Sequence, residues 1–368
     1  MKNLQKLLIV ALFGAISFGT FGLSSFLGAS AFVLGSMLTP AHSSSLRAGL
    51  DLSDINSQLG AYTRKYESKI WANMLNTITL ENFMTPVSGV KSQFISKNSS
   101  INEVLQPFQK GFQAKGKVSI DAKINKVRHI KADIIFDDID DLFDSHAAEM
   151  ADESKERDKW PFIPWVISSH IVPQVQEEMA ANSAYGVYSA PTPGTAGASI
   201  NTVDGLLTEV ATDITASNLT PFVTGAITPS NVIDAVEGFV DDIYAAGNVW
   251  KKKIKRILLA ADIVTMYKRA YRDAYGGNND YSGMSKTEGV NIATIEGTNI
   301  KLVGVDDMVG SQRMIATWDG NLIKMFDKIN VPNKINTQLD KRDVIMLLDF
   351  FRGYGYKAYN GFFVNDQA

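Results

Sequence analysis

The stretch KRILLAADIVTMYKRAYRDAYGG, residues 255–277, decides how this chain folds. Its apolar run at residues 257–260 predicts a short buried strand, and the residues after that run place apolar side chains at helical spacing. Asp262 can cap the helix, and the glycines at 276 and 277 are typical of a helix end. The stretch therefore predicts a strand that leads directly into a helix.

Two more strands are predicted downstream, in IATIEGTNIKLVGVDDMVGSQRMIAT, residues 292–317. They cover residues 300–305 and 314–317, and the polar residues 306–311 form a turn between them. No residue pattern in this region is typical of catalysis. It predicts a small α+β layer that holds a surface in place, and the turn is a candidate contact between copies of the chain.

Composition excludes several kinds of function. The chain has 368 residues, with 36 basic and 39 acidic side chains, so its charge gives no global nucleic-acid footprint. It has no cysteine, which excludes disulfides, thiolate zinc sites and a cysteine nucleophile. The four histidines (His42, His129, His146 and His170) are never at metal-ligand spacing, so we interpret them as surface or core residues.

The first fifty residues form an apolar N-terminal segment. No charged residue lies between Lys6 and Arg47, and the small residues 29–31 resemble a cleavage site. This pattern is typical of a secretory signal peptide or a membrane anchor. The glycines and serines of the segment are equally consistent with an apolar arm that is buried against neighbouring subunits.

Several helices are predicted from apolar side chains at helical spacing. They cover residues 50–76, a long stretch at residues 163–179, a shorter helix from Asn201, and a helix that starts at Thr228–Pro229. Pro173 lies inside the long helix and should bend it, or end it and restart it. Residues 335–363 close the chain with two strand-like runs that are rich in aromatic side chains.

Residues 118–125 have a different period. Val118, Ile120 and Ile124 alternate with polar residues, which predicts a strand with one apolar and one solvated face. Residues 115–131 carry six basic side chains against one acid, whereas residues 133–158 carry eleven acidic ones. The two regions are either two solvated faces or complementary charges across a subunit contact. The basic run KKKIKR at residues 251–256 could likewise bind phosphate, but we interpret it as a solvated sheet edge that blocks unwanted pairing.

The usual active-site motifs are missing. The sequence has no GxxxxGK loop and no GxSxG motif. Residues 353–358 fit GxGxxA in letters only, because no helix follows them. Asp138 and Asp140 lack the glycine of a calcium loop, and the acids of residues 137–144 are typical of a solvated segment. We therefore predict no catalytic, cofactor-binding or metal site and no bound cofactor, and a hydrolase that uses these acids ranks last.

Three segments carry a resemblance to a known family. They are ADIVTMYKRAYRDAYG with the strands that follow it, the closing LDKRDVIMLLDFFRGYGYKAYNGFFV, and GVKSQFISKNSS with the return stretch 115–136. In these segments and in the order of its elements, the chain resembles the major capsid proteins of tailed bacteriophages with the Hong Kong-type shell fold. The resemblance covers residues 51–363, and the apolar residues 1–50 depart from it.

The resemblance implies an α+β fold of the Hong Kong type, with an N-terminal arm, an extended β-ribbon loop, a peripheral domain with a long spine helix, and an axial domain. The expected divisions are 1–50 for the apolar segment, 51–90 for the arm and its helix, 91–136 for the extended loop, 137–215 with 331–368 for the peripheral domain, and 216–330 for the axial domain.

The resemblance also implies a function. It indicates a structural protein that assembles with itself, as pentamers and hexamers, into an icosahedral shell around double-stranded DNA. Portal, scaffold or decoration proteins would be further partners, and the shell would be located in the virion after assembly in the host cytoplasm. The alternative is an exported or membrane-anchored bacterial surface protein that uses the N-terminal segment as its targeting signal.

Overall fold

The computed structural model describes residues 52–75, 78–101, 103–136, 145–146, 162–275, 291–327, 335–340 and 343–368. The chain divides into two compact units, Met1–Ile55 and Asn56–Ala368. The elements below belong to the second unit, apart from the first turn of α1. The predictions for residues 1–50, for the acids of residues 137–144 and for the glycines at 276 and 277 lie outside the described residues.

Helices and strands occur mostly in separate runs along the chain, and the α+β class predicted from the sequence is confirmed. The helices are α1 (Leu52–Leu75), α2 (Phe162–Val166), α3 (Val172–Tyr185), α4 (Leu206–Thr215), α5 (Val232–Ala245), α6 (Asn248–Lys253) and α7 (Ala261–Tyr275). The strands are β1 (Thr85–Ser88), β2 (Gln93–Ile101), β3 (Val118–Lys126), β4 (Arg128–Phe136), β5 (Arg256–Ala260), β6 (Ile292–Thr294), β7 (Lys301–Val305), β8 (Ile315–Thr317), β9 (Leu322–Phe326), β10 (Ile335–Asp340), β11 (Asp343–Tyr356) and β12 (Phe362–Val364).

The first sheet is organised around β11. The first part of this strand pairs with β10 on one side and with β4 on the other, and its last four residues pair with β9. Strand β1 joins the far side of β9 in parallel. Helix α1 covers one face of the sheet, where Trp71 packs edge-on against Phe350 with ring centroids 5.2 Å apart.

The second sheet contains the block that opened the sequence analysis. Its strand order is β12-β8-β5-β7-β6, with β5 at the centre, and α5 and α7 pack together beside it. Tyr267 of α7 and Phe239 of α5 are fully buried. Strand β5 leads directly into α7, as predicted. The helix begins at Ala261, so Asp262 lies in its first turn and not before it.

The basic run at residues 251–256 is not a sheet edge. It spans helix α6 and the start of β5, and β5 is the central strand of its sheet. The predicted role in blocking edge pairing is therefore wrong. The pattern was misleading because lysines protect an edge only where strand hydrogen bonds are left open, and both sides of β5 are paired.

The long helix is interrupted next to its proline, as predicted. A π-helical segment, Ile167–Ile171, separates α2 from α3, and Pro173 lies in the first turn of α3, where no backbone amide needs a partner. Two helix starts differ from prediction. Helix α4 begins at Leu206, after a 3-10 turn at Ser199–Asn201. Helix α5 begins at Val232, because Thr228 first closes a turn through its carbonyl oxygen.

The closing residues form three strands and not two. Strands β10 and β11 belong to the first sheet, and β12 pairs with β8 in the second. Strands β2 and β3 form a separate two-stranded antiparallel sheet of nine residue pairs. We call these two strands and the chain that connects them the ribbon.

Candidate functional site

The ribbon packs on the rest of the chain through its polar face, which differs from the expectation based on its sequence. Period two is confirmed in β3, but Lys123 and Asn125 are the buried residues, whereas Val118, Ile120 and Ile124 are exposed. The predicted solvation of the polar face is therefore wrong at these two residues. The polar face is covered because α4 and β11 supply partners for it.

Lys123 is held in a buried cluster at the base of the ribbon. Its ammonium group lies 2.5 Å from a carboxylate oxygen of Asp213 and 3.3 Å from one of Glu209, both on α4. The same ammonium group lies 4.3 Å from the ring centroid of Tyr356. A cation between two carboxylates and an aromatic face is well compensated for its loss of water.

The two carboxylates of this cluster differ in their affinity for protons. Burial raises the pKa of Glu209, and Lys123 only partly offsets this rise. Burial also disfavours the charged form of Asp213, but hydrogen bonds from Lys123, Tyr356 and Asn218 outweigh it and lower the pKa of that carboxyl group. Asp213 is therefore the carboxylate that pairs with Lys123, and the pair fixes the ribbon to α4.

Two glycines of β11 let the ribbon base lie close to the sheet. A Cβ atom at Gly353 would lie 2.4 Å from the backbone oxygen of Lys126, and one at Gly355 would lie 2.2 Å from the side-chain oxygen of Asn125. The GxG letters of residues 353–355 are thus explained by close backbone approach and not by a phosphate.

Replacing Gly353 with alanine is expected to lower the free energy of unfolding by about 2 kcal/mol, because the added methyl group meets the backbone of the ribbon base. Urea unfolding of the unassembled subunit measures the change. Gly197→Ala is the matched control, since no heavy atom lies within 4 Å of its added Cβ. Equal effects of the two substitutions would contradict this account.

A second buried cluster connects the segment before β1 to the first sheet. Glu81 accepts hydrogen bonds from Arg352 (2.9 Å from Nε), from Tyr354 (2.9 Å) and from Lys324 (3.1 Å). Burial raises the pKa of the Tyr354 hydroxyl, and the Glu81 carboxylate raises it further. Glu81 is more than 240 positions away from each of these three partners, so no local pattern in the sequence could have identified the cluster.

The far end of the ribbon is left uncovered by the residues that the structure describes. Leu105, Phe108 and Phe112, which we call the tip, have exposed fractions of 88%, 94% and 91%. Burying each of these side chains would contribute about 1.5–3 kcal/mol. An apolar tip on a firmly anchored ribbon is typical of a surface that another molecule covers.

Histidines in the described residues pack against aromatic rings. His129 stacks on the ring of Phe351 with centroids 4.5 Å apart, and His170 lies edge-on to Trp165. Within the described residues, no group of three or more His, Asp or Glu side chains could hold a metal ion. In the same parts of the chain, no helix combines the length and hydropathy needed to cross a bilayer.

Comparison with solved structures finds capsids. The chain matches the satellite phage P4 procapsid that includes the size determination protein, with 11% sequence identity and a TM-score of 0.49, over 91% of this chain and 96% of that one. It matches the capsid of Myoviridae phage XM1 with 12% identity and a TM-score of 0.45, over 78% of this chain and 90% of that one. Both are phage capsids.

A third match is the holo-SrpI encapsulin complex from Synechococcus elongatus PCC 7942, with 13% identity and a TM-score of 0.42, over 79% of this chain and 89% of that one. No protein-family model matches the chain, and no curated protein sequence does.

Proposed function

We propose that this protein is a structural capsid subunit that assembles with itself into an icosahedral shell around double-stranded DNA of a tailed phage. The observation that carries the proposal is the apolar tip, whose phenylalanines are more than nine-tenths exposed in the single chain. Subunit association would bury them, and the anchored ribbon base would hold them in position for it.

The division of labour between the parts is part of the same proposal. The α+β part at residues 216–330 would form pentamers and hexamers as the axial domain, and residues 137–215 with 331–368 would form the peripheral domain. The ribbon would reach a neighbouring subunit. The near balance of 36 basic and 39 acidic residues is consistent with a wall that holds DNA without binding it tightly. Portal, scaffold or decoration proteins would be further partners, and the location would be the virion.

The test uses the purified full-length chain. Light scattering and electron micrographs are expected to show closed particles of megadalton mass. A membrane-bound product, or a processed monomer that begins near Phe32, would contradict the proposal and favour the exported surface protein.

The tip itself is tested by Phe108→Ser combined with Phe112→Ser. This variant is expected to remain as free subunits, because two exposed apolar side chains of the tip are lost. Its melting temperature should stay within about 2 °C of that of the unassembled wild-type subunit. The matched control, Phe108→Leu with Phe112→Leu, keeps apolar side chains and should still form particles. Normal particles from the serine variant would show that the tip does not drive assembly.

A further inference from the structure

The ribbon base contains the groups that an amide-forming reaction needs, and these groups are in contact. Lys123 has a primary amine, and its Nζ lies 2.5 Å from Oδ2 of Asp213. Glu209 provides a second carboxylate, 3.3 Å from the same Nζ. The side chains of Lys123 and Asp213 are only 2% and 9% exposed, so water that could hydrolyse an amide is largely excluded. Two groups held together in this way react as if they were highly concentrated.

Hydrogen-bond donors surround both oxygens of the Asp213 carboxylate. The side-chain amide of Asn218 donates to Oδ1 at 3.1 Å, and the hydroxyl of Tyr359 donates to the same oxygen at 3.2 Å. The hydroxyl of Tyr356 donates to Oδ2. If an amine attacks the carboxyl carbon, negative charge develops on Oδ1, where two donors are already in place. Donors in this arrangement stabilise the tetrahedral intermediate of an acyl transfer.

The backbone that brings Asn218 to this carboxylate is strained. Among the described residues, Ser217 is the one non-glycine residue in the left-handed region, with a φ of 60°. It follows the end of α4 and turns the chain back, so that the backbone amide of Asn218 donates to the carbonyl oxygen of Asp213 at 2.9 Å while its side chain donates to the carboxylate. Strain of this kind is concentrated at functional sites.

The position of Asp213 also favours the loss of its charge. Asp213 lies in the last turn of α4, where the helix dipole disfavours a negative group. Lys123 and Asp213 are both buried, and keeping two ions away from water is costly even when they are paired. An amide between the two side chains would remove both charges and leave only neutral groups in the cluster.

We propose that Lys123 and Asp213 form an isopeptide bond within one subunit, with Glu209 as the catalytic residue. Freshly made subunits hold the ion pair, which is the reactant state. The bond attaches the ribbon base covalently to α4, so the ribbon remains attached under conditions that would separate an ion pair. Because both groups belong to the same chain, the bond links no two copies, and the inference does not rest on the proposed self-assembly.

The reaction is a condensation that releases one water. The Lys123 ammonium group first passes a proton to Oδ2 of Asp213, and the neutral Nζ then attacks Cγ. Glu209 accepts a second proton from Nζ and returns it to Oδ2, which leaves as water. The third hydrogen stays on the amide nitrogen, so atoms and charges balance without an oxidant or a co-reactant. Burial raises the pKa of Glu209, which makes its carboxylate a better proton acceptor.

Peptide mapping of the purified full-length chain tests for the bond. Trypsin cuts after lysine but not after an acylated lysine, so residues 118–126 should stay intact and be joined to the fragment 160–251 that contains Asp213. The mass of this branched peptide should be that of its two parts less one water, and its amount should increase during overnight incubation of the subunit. Absence of the branched peptide from incubated subunits would overturn the proposal and leave an ion pair only.

Variants test the role of Glu209. Glu209→Gln keeps the shape of the side chain but cannot accept the proton, so the branched peptide should form at least tenfold more slowly while the circular dichroism spectrum is unchanged. Lys123→Arg keeps a cation beside Asp213 and should give no branched peptide. Glu103→Gln is the matched control, because that carboxylate is 82% exposed and far from the cluster in function. A branched peptide from Glu209→Gln at the wild-type rate would refute the catalytic role of Glu209. Particles are not needed for any of these measurements, so a failure of self-assembly would count against the proposed function alone.

Discussion

Replacing Glu81 with glutamine is expected to lower the free energy of unfolding by about 3–5 kcal/mol, because Arg352 and Lys324 then lose the carboxylate that compensates their charge. Arg352 is buried, so water cannot replace the lost partner. Urea unfolding of unassembled subunits, in the Phe108→Ser, Phe112→Ser background, measures the effect without a contribution from assembly.

The control for Glu81 is Glu103→Gln. Glu103 also pairs with a lysine, at 2.6 Å from Lys115, but its side chain is 82% exposed, and exposed pairs contribute about 0–1 kcal/mol. A second variant distinguishes the loss of the ion pair from the loss of side-chain packing as the cause of the lower stability. Glu81→Leu with Arg352→Met removes the two buried charges, leaves only the partly exposed Lys324 without its carboxylate, and should recover at least half of the lost stability. If the double variant is less stable than Glu81→Gln, an unpaired charge is not the cause.

Replacing Lys123 with methionine is expected to cost about 3 kcal/mol, because Asp213 loses its cation while it stays buried beneath the ribbon. Two tyrosine hydroxyls and the Asn218 amide still donate to Asp213, so the loss is smaller than at Glu81. Thermal unfolding of the subunit measures the change in stability.

Lys126→Met is the matched control, since Lys126 lies on the same strand with an exposed side chain and should change stability by less than about 0.5 kcal/mol. Hydrogen exchange adds a local measurement. The amides of β2 and β3 should exchange faster in Lys123→Met, and those of β5 and β7 should not. Uniformly faster exchange would mean that Lys123 does not anchor the ribbon in particular.

The sequence predicted elements whose apolar pattern is satisfied locally. Helix α1, helix α7 and strands β5 and β7 were predicted close to their observed bounds, because each buries one stripe or one run of apolar side chains inside the subunit. The interruption near Pro173 was predictable for the same reason, since the missing amide acts within its own helix.

The buried charged clusters could not be predicted from the sequence, because their partners are distant along the chain. The burial of Lys123 is caused by Asp213, ninety positions away, and that of Arg352 by Glu81, 271 positions away. The alternation in β3 gave the period of the strand but not the covered face, because the described parts of the same subunit do not cover its apolar side chains. The absence of an active-site motif was visible in the sequence, whereas the anchored ribbon with its exposed tip was not.

The position of β11 near the end of the chain has a consequence for synthesis. This strand holds β4, β9 and β10 in the first sheet, and Tyr356 at its end contacts Lys123 at the ribbon base. At about 5–20 residues per second, a ribosome finishes the ribbon roughly ten seconds or more before it makes β11. Nascent chains on one messenger therefore carry ribbons that are not yet anchored. The contact between Lys123 and Tyr356 can therefore form only after β11 has been made.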